Sequence, residues 1–458
     1  MLRLLGFFIV TGALMYGASW LFDNDAVLQL QWFDGETYPV NRAVAVLAVL
    51  VFAVAAIVVY ELLRLVLGYP VRWWRKRKTN RQLEGLRTVT RGMMAVAAGD
   101  GTQAKELRRE AEKLLGEREP ATLLLAAQAA ELEDNHEVAQ LKYRQMLRQK
   151  PTQLLGLRGL LNDAIATGDQ AQALELARQA YRDHPYTEWV VETLFDQLVQ
   201  HRLWGEAFRR VDDLKLNSVV DGDEAQRRRG VLKHLMAKER ADKGELEEGL
   251  KTAQDATRRQ RSFAPAAALT AELATKLDKP RLARTSIEES WARAPHPLLV
   301  EAYKAQEPNE TARARLDRLE RLANRNSSHH YTLRVMIEAA LAAGENGRAL
   351  TFAKQVPGAN PTVGTLQAAV DAFRTAEPES PRIAELETLM ADAPADEAWV
   401  CQRTGHVMDH WEPFGPAGDF DSLRWQSPPK VATLMTAAPS GGFAGRTVDL
   451  EPETQGAA

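Results

Sequence analysis

The chain has 458 residues, of which 45% are hydrophobic and 26% charged, with Lys+Arg 58 against Asp+Glu 61 and a single cysteine, Cys401. These figures exclude collagen-like, wholly disordered and disulfide-framework proteins. A net charge of −3 gives no global basis for nucleic-acid binding, and the length leaves room for two or three domains.

The amino end is apolar. Residues Leu4 to Phe22 form an uncharged run of 19, and Ala43 to Tyr60 a second run of 18, extended by Leu62, Leu63, Leu65, Val66 and Leu67. A hydrocarbon core about 30 Å thick takes about 20 apolar helical residues. Two membrane spans are therefore expected, over 4–22 and 43–67, with a short outer loop over 23–42. A cleavable signal peptide is the alternative for the first run, with Arg3 as its charged start and Gly17-Ala18-Ser19 as a cleavage site. Arg72, Arg75, Lys76, Arg77, Lys78 and Arg81 follow the second run, whereas the connecting segment holds Asp23, Asp25, Asp34 and Glu36 against Arg42 alone. The positive-inside rule then places the large carboxy-terminal part in the cytoplasm. Beside a span, the basic cluster reads as facing anionic lipid rather than nucleic acid. In the loop, Val27, Leu28, Leu30, Trp32 and Phe33 before Asp34-Gly35 read as a short strand and turn.

From residue 82 to about 392, apolar residues recur at three- and four-residue spacing, the pattern of amphipathic helices. Turn signals punctuate them at Gly99-Asp100, Asp134-Asn135, Gly168-Asp169, Lys243-Gly244, Asp278-Lys279-Pro280 and Gly344-Glu345. Pro151 and Pro185 are 34 residues apart, and Leu123, Ala126, Ala127 and Ala130 align with Leu157, Leu160, Leu161 and Ala164. In the second helix of the unit, Ala139, Tyr143 and Met146 align with Ala173, Ala177 and Ala180. This resembles the tetratricopeptide repeat, whose period is 34. The segments 217–261 and 298–326 fall out of register, so irregular helix pairs are expected there. The fold class is all-α: two amino-terminal spans, then a tetratricopeptide-like solenoid.

Composition changes after Pro394. Cys401 and Thr404 stand as in a C-x-x-C-G turn, and Phe414 and Ala417 as in a second such turn. Two turns of that kind carrying four thiolates would form a tetrahedral metal site. Thr404, Phe414 and Ala417 cannot replace thiolates, so no metal and no cofactor is expected. His406 and His410 read as solvated or packed histidines, and the adjacent His329-His330 as a poor ligand pair pointing different ways. The aromatic residues Trp399, Trp411, Phe414, Phe420 and Trp425 read as a small irregular cap on the last repeat. The expected division is a membrane anchor over 1–81, repeats over 82–392, the degenerate knuckle-like cap over 393–426 and a disordered tail over 427–458. No phosphate-binding glycine loop, dinucleotide fingerprint, H-E-x-x-H or G-x-S-x-G motif is present, so no enzyme is expected.

The segment Leu28-Gln29-Leu30-Gln31-Trp32-Phe33-Asp34-Gly35 and the run Arg91 to Asp100, with Ala104 and Ala111, resemble the HemY family of proteobacterial inner-membrane proteins. That resemblance implies a multi-pass protein of the inner membrane with cytoplasmic repeats. It implies a non-catalytic scaffold associated with haem (porphyrin) biosynthesis, binding protein partners such as tetrapyrrole-synthesis enzymes, and the lipid bilayer. Two other readings stand beside it. One is a repeat adaptor in envelope or lipopolysaccharide assembly control. The other is a haem-handling membrane protein with His406, His410 or Cys401 as axial ligand.

In repeats of this type the first helix of each pair lines the binding groove. The register set by Pro151 and Pro185 puts Gln128 and Glu131, then Arg158 and Asn162, then Trp189, Glu192 and Asp196 on that face. Together they offer an aromatic anchor beside charges of both signs, the kind of set that dominates protein interfaces.

Overall fold

The computed structural model describes residues 28–31, 37–40 and 42–429, together with Gly12, Tyr16 and Ser19. The first expected span and the tail beyond residue 429 lie outside the described residues. The chain divides into two compact units, Met1–Gly156 and Leu157–Ala458.

In the first unit, β1 (Leu28–Gln31) and β2 (Thr37–Val40) pair antiparallel, Leu28 opposite Val40 and Gln31 opposite Thr37, at the site of the strand read from the loop sequence. A single helix of 56 residues, α1 (Arg42–Ala97), follows. It joins the second apolar run, the basic cluster and the first repeat helix without interruption. Among the described residues no helix is long and apolar enough to cross a membrane. The fold therefore does not support the second expected span, and the first lies outside the described residues. The apolar run is one part of a much longer helix whose later part carries the basic cluster.

Three more helices complete this unit: α2 (Gly101–Leu115), α3 (Pro120–Leu132) and α4 (His136–Met146). The next helix, α5 (Gln153–Ala166), begins in the first unit and continues in the second, and α6 (Gln170–Asp183) follows it. The hairpin turns share one construction. Gly99, Asp134 and Gly168 take φ of 74°, 51° and 76°, the left-handed region that ends a helix. The following N–H bonds back five residues: Asp100 to Ala95, Asn135 to Ala130 and Asp169 to Ala164, at 3.0, 2.9 and 2.9 Å. That same residue then caps the next helix, Asp100 accepting from the Gln103 N–H, Asn135 from Val138 and Asp169 from Gln172. The Gly-Asp and Asp-Asn signals are thus a helix stop and a helix start in consecutive residues.

In the second unit, α7 (Glu188–Gln200) pairs with α8 (Trp204–Leu216), α9 (Gly222–Asp242) with α10 (Leu246–Arg259), and α11 (Ala264–Lys276) with α12 (Pro280–Trp291). Next come α13 (Pro297–Lys304), α14 (Ala312–Ala323), α15 (His330–Ala342), α16 (Asn346–Ala353), α17 (Val363–Ala376) and α18 (Arg382–Asp392). Alanines such as Ala164, Ala173, Ala177, Ala253, Ala267, Ala283, Ala340 and Ala349 are fully buried along the seams, where a small side chain lets helices approach.

The two stretches out of register are irregular helix pairs. In one, α9 reaches 21 residues; in the other, α13 has only eight. The short pair is fastened by a polar clasp. Arg318 donates twice to Glu310, at 2.8 and 2.6 Å, and once to the Tyr303 carbonyl at 2.6 Å. The Arg318 hydrogen bonds hold the Glu310 carboxyl below the usual range.

A three-stranded sheet closes the unit: β3 (Ala398–Cys401) lies between β4 (Val407–Met408) and β5 (Leu423–Gln426), both antiparallel to it. This segment does not sit on the last repeat, as its sequence position suggested. Trp399, Cys401 and Leu423 belong to the core shared by α5 to α11. After α18 the chain runs back along α17 and α15. There the Val363 N–H donates to the Pro394 carbonyl, and Asp396 accepts from Arg334 at 2.8 Å and from the Gly364 N–H at 2.9 Å.

Close helix approach makes one glycine testable. A Cβ at Gly156 would stand 2.8 Å from the Tyr143 carbonyl oxygen and 3.1 Å from the Met146 Cβ. Alanine ordinarily favours a helix over glycine by roughly 0.5–1 kcal/mol. Overpacking at this contact costs roughly 1–3 kcal/mol. Gly156→Ala should therefore lower the thermal midpoint; a raised midpoint would show that α4 and α5 have slack there.

Candidate functional site

The face built from first helices carries the expected groove residues in two places. Gln128 is half-buried on α3, and Glu131 accepts a 2.9 Å hydrogen bond from the Tyr143 hydroxyl, which ties it to its own hairpin. In the second unit the Arg158 guanidinium lies 5.2 Å from the centre of the Trp189 ring. Asn162 is exposed one turn along α5 from Arg158, and Glu192 and Asp196 are exposed on α7. Asp196 keeps contact with water but is walled by surrounding protein. Burial and the nearby Glu192 carboxylate push its pKa up to about 6, against the pull of Arg228.

The carboxy-terminal module occupies the same first-helix face further along. Phe420 meets Phe195 of α7 edge-on at 5.7 Å and stacks on Trp204 at 6.3 Å. Trp411 stands edge-on to His234 of α9 and to Phe263 beside α11, at 5.4 and 4.9 Å. His296, which caps α13, lies between Trp399 and Trp425, at 5.4 and 4.1 Å. The central tie is polar. Arg227 of α9 donates two hydrogen bonds to Asp421, at 2.9 and 2.8 Å, and a third to the Leu423 carbonyl at 3.0 Å. The Asp421 carboxylate is wholly buried, and Arg424 bridges from beside it to Glu224 at 2.9 Å. The pairing of Arg227 with Asp421 spans 194 residues. No sequence period marks such a contact. The one available hint was the concentration of aromatic residues in the tail.

Both segments with the knuckle-like spacing form turns. The Gly405 N–H returns to the Cys401 carbonyl at 2.8 Å and the Gly418 N–H to Gly415 at 2.9 Å, with φ of 70° and 78° at Gly405 and Gly418. A Cβ on Gly415 would fall 3.2 Å from the Cys401 sulfur, so the turns face each other closely. Burial pushes the Cys401 thiol up, but hydrogen bonds from Thr404 and Ser422 outweigh it and hold the thiol below its ordinary value. Phe414 packs on Trp204 at 6.4 Å, and Ala417 is exposed. At Phe414, aromatic packing thus stands where a metal knuckle would carry a thiolate.

Among the described residues no group of three or more His, Cys, Asp or Glu could hold a metal ion. His406 is exposed and His410 contacts Glu412 at 2.9 Å. His329 and His330 do not point apart. Their rings stack at 4.5 Å, because His329 caps α15 through the Tyr331 N–H while His330 turns to Thr365.

Paired antiparallel helices, a shared turn construction and a 34-residue period define a tetratricopeptide-like helical-repeat protein. Residues 29–134 match the family model described as HemY protein N-terminus. Over this part of its length the chain is similar to HemY proteins. No curated protein sequence matches it. Among solved structures, it is similar to the Naa15/Naa10 complex bound to HypK-THB, with TM-score 0.40 and 12% identity over 74% of this chain and 57% of that one. It is also similar to YrrB, titled a TPR protein with an unusual peptide-binding site, with TM-score 0.28 and 18% identity over 43% of this chain and 97% of that one. A third is yeast Sti1 in a TPR2AB-domain complex with pHSP90, with TM-score 0.27 and 14% identity over 68% and 98%. Likenesses this distant carry no information on ligand or partner.

Two outcomes follow for the seating of the module. Arg227→Met removes both hydrogen bonds to the buried Asp421 carboxylate and leaves it only Arg424 at 3.7 Å; breaking a buried pair costs up to about 3–5 kcal/mol. Urea unfolding followed by tryptophan fluorescence should show that loss, and Arg227→Met with Asp421→Leu should recover part of it. Acid should also loosen the module. Burial lowers His234 and His296 to about 3 each, from an ordinary value of 6.5. The unfolded chain therefore takes up protons first as pH falls below 6.5, and their stabilisation is lost progressively towards pH 3. Asp196, raised to about 6, acts in the opposite sense but keeps its contact with water. The urea midpoint should fall between pH 6.5 and 4, and His234→Phe should flatten that slope.

Proposed function

We propose that this chain is a non-catalytic, membrane-anchored scaffold whose repeats bind protein partners, serving haem (porphyrin) biosynthesis. The observation that carries the reading is the exposed first-helix face of α5 and α7, where Arg158 stacks on Trp189 beside the exposed carboxylates of Glu192 and Asp196. A cation stacked on an aromatic ring is held in place at little further entropic cost, which suits it to be an interface anchor. The match of residues 29–134 to the HemY amino-terminal model supports the link to tetrapyrrole synthesis, whose enzymes are the partners proposed.

The anchor reading rests on the start of α1. Val44, Leu47, Val49, Phe52 and Val58 are each more than half exposed. An exposed apolar surface of that extent needs lipid or a partner to cover it. The basic residues from Arg72 to Arg81 then favour the cytoplasmic side. The proposed location is the bacterial inner membrane, with the repeats in the cytoplasm.

A second reading, the repeat adaptor in envelope assembly control, draws support from the retained two-knuckle backbone around Cys401 and Gly415.

Crosslinking of the native membrane complex followed by mass spectrometry tests the leading proposal. Trp189→Ala with Arg158→Ala should remove the partner crosslinks while helical content stays unchanged. Tetrapyrrole-synthesis enzymes among the wild-type crosslinks support the reading. Unchanged crosslinks in the double variant would rule out this face. A reporter enzyme fused after Arg81 should be active only in the cytoplasm, and activity outside would reverse the proposed orientation.

A further inference from the structure

In the first unit a hollow of about 500 Å³ opens between α1 and the turn from α2 to α3. Three cations line it, Lys78 and Arg81 of α1 and Lys113 of α2. Among the described residues none of the three has an ion pair. Arg81 donates to the Lys113 backbone carbonyl, which leaves its charge uncompensated. Leu86, Leu114 and Leu115 form the apolar part of the lining. The single carboxylate of the lining is Glu119, exposed and with no side-chain hydrogen bond to the start of α3. Three cations less one carboxylate give the hollow a net charge of +2.

Two glycines shape it. Gly85 is buried where α1 meets the end of α2, and a Cβ there would overlap the Leu115 side chain. That close approach sets Lys113 beside Arg81. Gly116 stops α2 at φ of 100° and ψ of 153°, a conformation essentially confined to glycine, and turns the chain towards Glu119. The place along α1 is also distinctive. Lys78 follows Trp74 by four residues, about 6 Å along a helix axis. Tryptophan concentrates at the membrane–water interface. In the proposed anchoring the hollow thus lies at the level of the lipid headgroups on the cytoplasmic side.

We propose that this hollow binds the phosphate of one anionic phospholipid of the cytoplasmic leaflet, with the glycerol and the first acyl carbons against Leu86 and Leu114. Cations and leucines side by side fit a phosphate carried on an apolar body, whereas a free phosphate would use the cations alone. A zwitterionic lipid meets the same leucines but brings its own cation to a site that already has a surplus. Bound there, the lipid pins the α2 hairpin at the membrane surface. The site presupposes the membrane-anchored reading and adds to it one stoichiometric lipid in place of diffuse attraction to the basic stretch.

The test uses the full chain in non-ionic detergent micelles, with palmitoyl-oleoyl phosphatidylglycerol or phosphatidylcholine added and retained lipid read by native mass spectrometry. Each unpaired charge near a lipid surface is worth about fivefold in affinity. A surplus of two cations should therefore favour phosphatidylglycerol by about 25-fold. Lys78→Gln with Lys113→Gln keeps the Arg81 hydrogen bond and should abolish that preference. Glu119→Gln should raise it about fivefold, a gain that no loss of folding imitates. Arg87→Gln, Arg91→Gln and Arg109→Gln together remove more charge, from exposed positions outside the hollow, and should leave the preference unchanged. A large excess of inorganic phosphate should not displace the lipid. Equal retention of the two lipids, or the same loss in the triple arginine variant as in the double lysine variant, overturns the proposal. Displacement by phosphate also overturns it, in favour of a site for free anions. Alkaline carbonate washing of native membranes separates this outcome from that of the anchor. If the chain stays in the membrane while the lipid preference is missing, the hollow falls and the anchor reading stands; release of the chain by washing brings down the anchor reading, and the site with it.

Discussion

Each helix of the array buries only one stripe of its surface, and the stripe is made largely of alanine and leucine. A hairpin of two such helices closes its inner seam and leaves an apolar face on each side. That face is covered only by the next hairpin, and hydrophobic burial supplies most of the drive for stacking. The demand for cover explains the rest of the second unit. Where the period holds, the alanine seams bring helices close enough for glycine to be required at a contact. Where it fails, at α13 and α14, an arginine clasp between Arg318, Glu310 and Tyr303 replaces part of the missing apolar fit.

The carboxy-terminal module answers the same demand in another way. Its small sheet contributes Trp399, Cys401 and Leu423 to the core of the helices it covers. Aromatic residues do here what metal would do in a thiolate-bearing knuckle: they hold the two turns against a larger body. The wholly buried Asp421 carboxylate is tolerable because Arg227 meets it with two hydrogen bonds and Arg424 stands 3.7 Å away. A pair of this kind adds little net stability over a well-packed apolar pair, but it fixes one docking register for the module.

Much of the helical unit was legible from sequence, because its signals are local. The 34-residue spacing of Pro151 and Pro185, the alanine alignment and the Gly-Asp turns each act within one or two helices. The strand β1 was legible for the same reason, though its partner β2 was not read. The seat of the module was not. Its partners Phe195 on α7, Arg227 and His234 on α9, and His296 at the cap of α13 lie far away in sequence, and nothing in their spacing distinguishes them from ordinary surface positions. The candidate groove divides in the same way. Helical period placed Arg158 and Trp189 on neighbouring helices, and they touch. An open hollow beside Lys238 exists only because Trp411 and Phe414 fold back to wall it. His329 and His330 show how a cap can override the angular rule for adjacent helical residues, since one of them belongs to the helix entry rather than its body.

The unbroken helix α1 has a geometric consequence. Its 56 residues run from the apolar stretch into the first repeat hairpin with no joint between them. A straight α-helix turns by about 100° and advances about 1.5 Å per residue. The length of the segment between Tyr60 and Arg81 therefore acts as a phase setting. One residue added there would swing the α2 hairpin by more than a quarter turn relative to the apolar stretch, whereas seven would return it nearly to its starting azimuth, about 10 Å further along the axis. Which side of the hairpin faces away from the apolar stretch is thus fixed by the number of residues in the connecting stretch of helix.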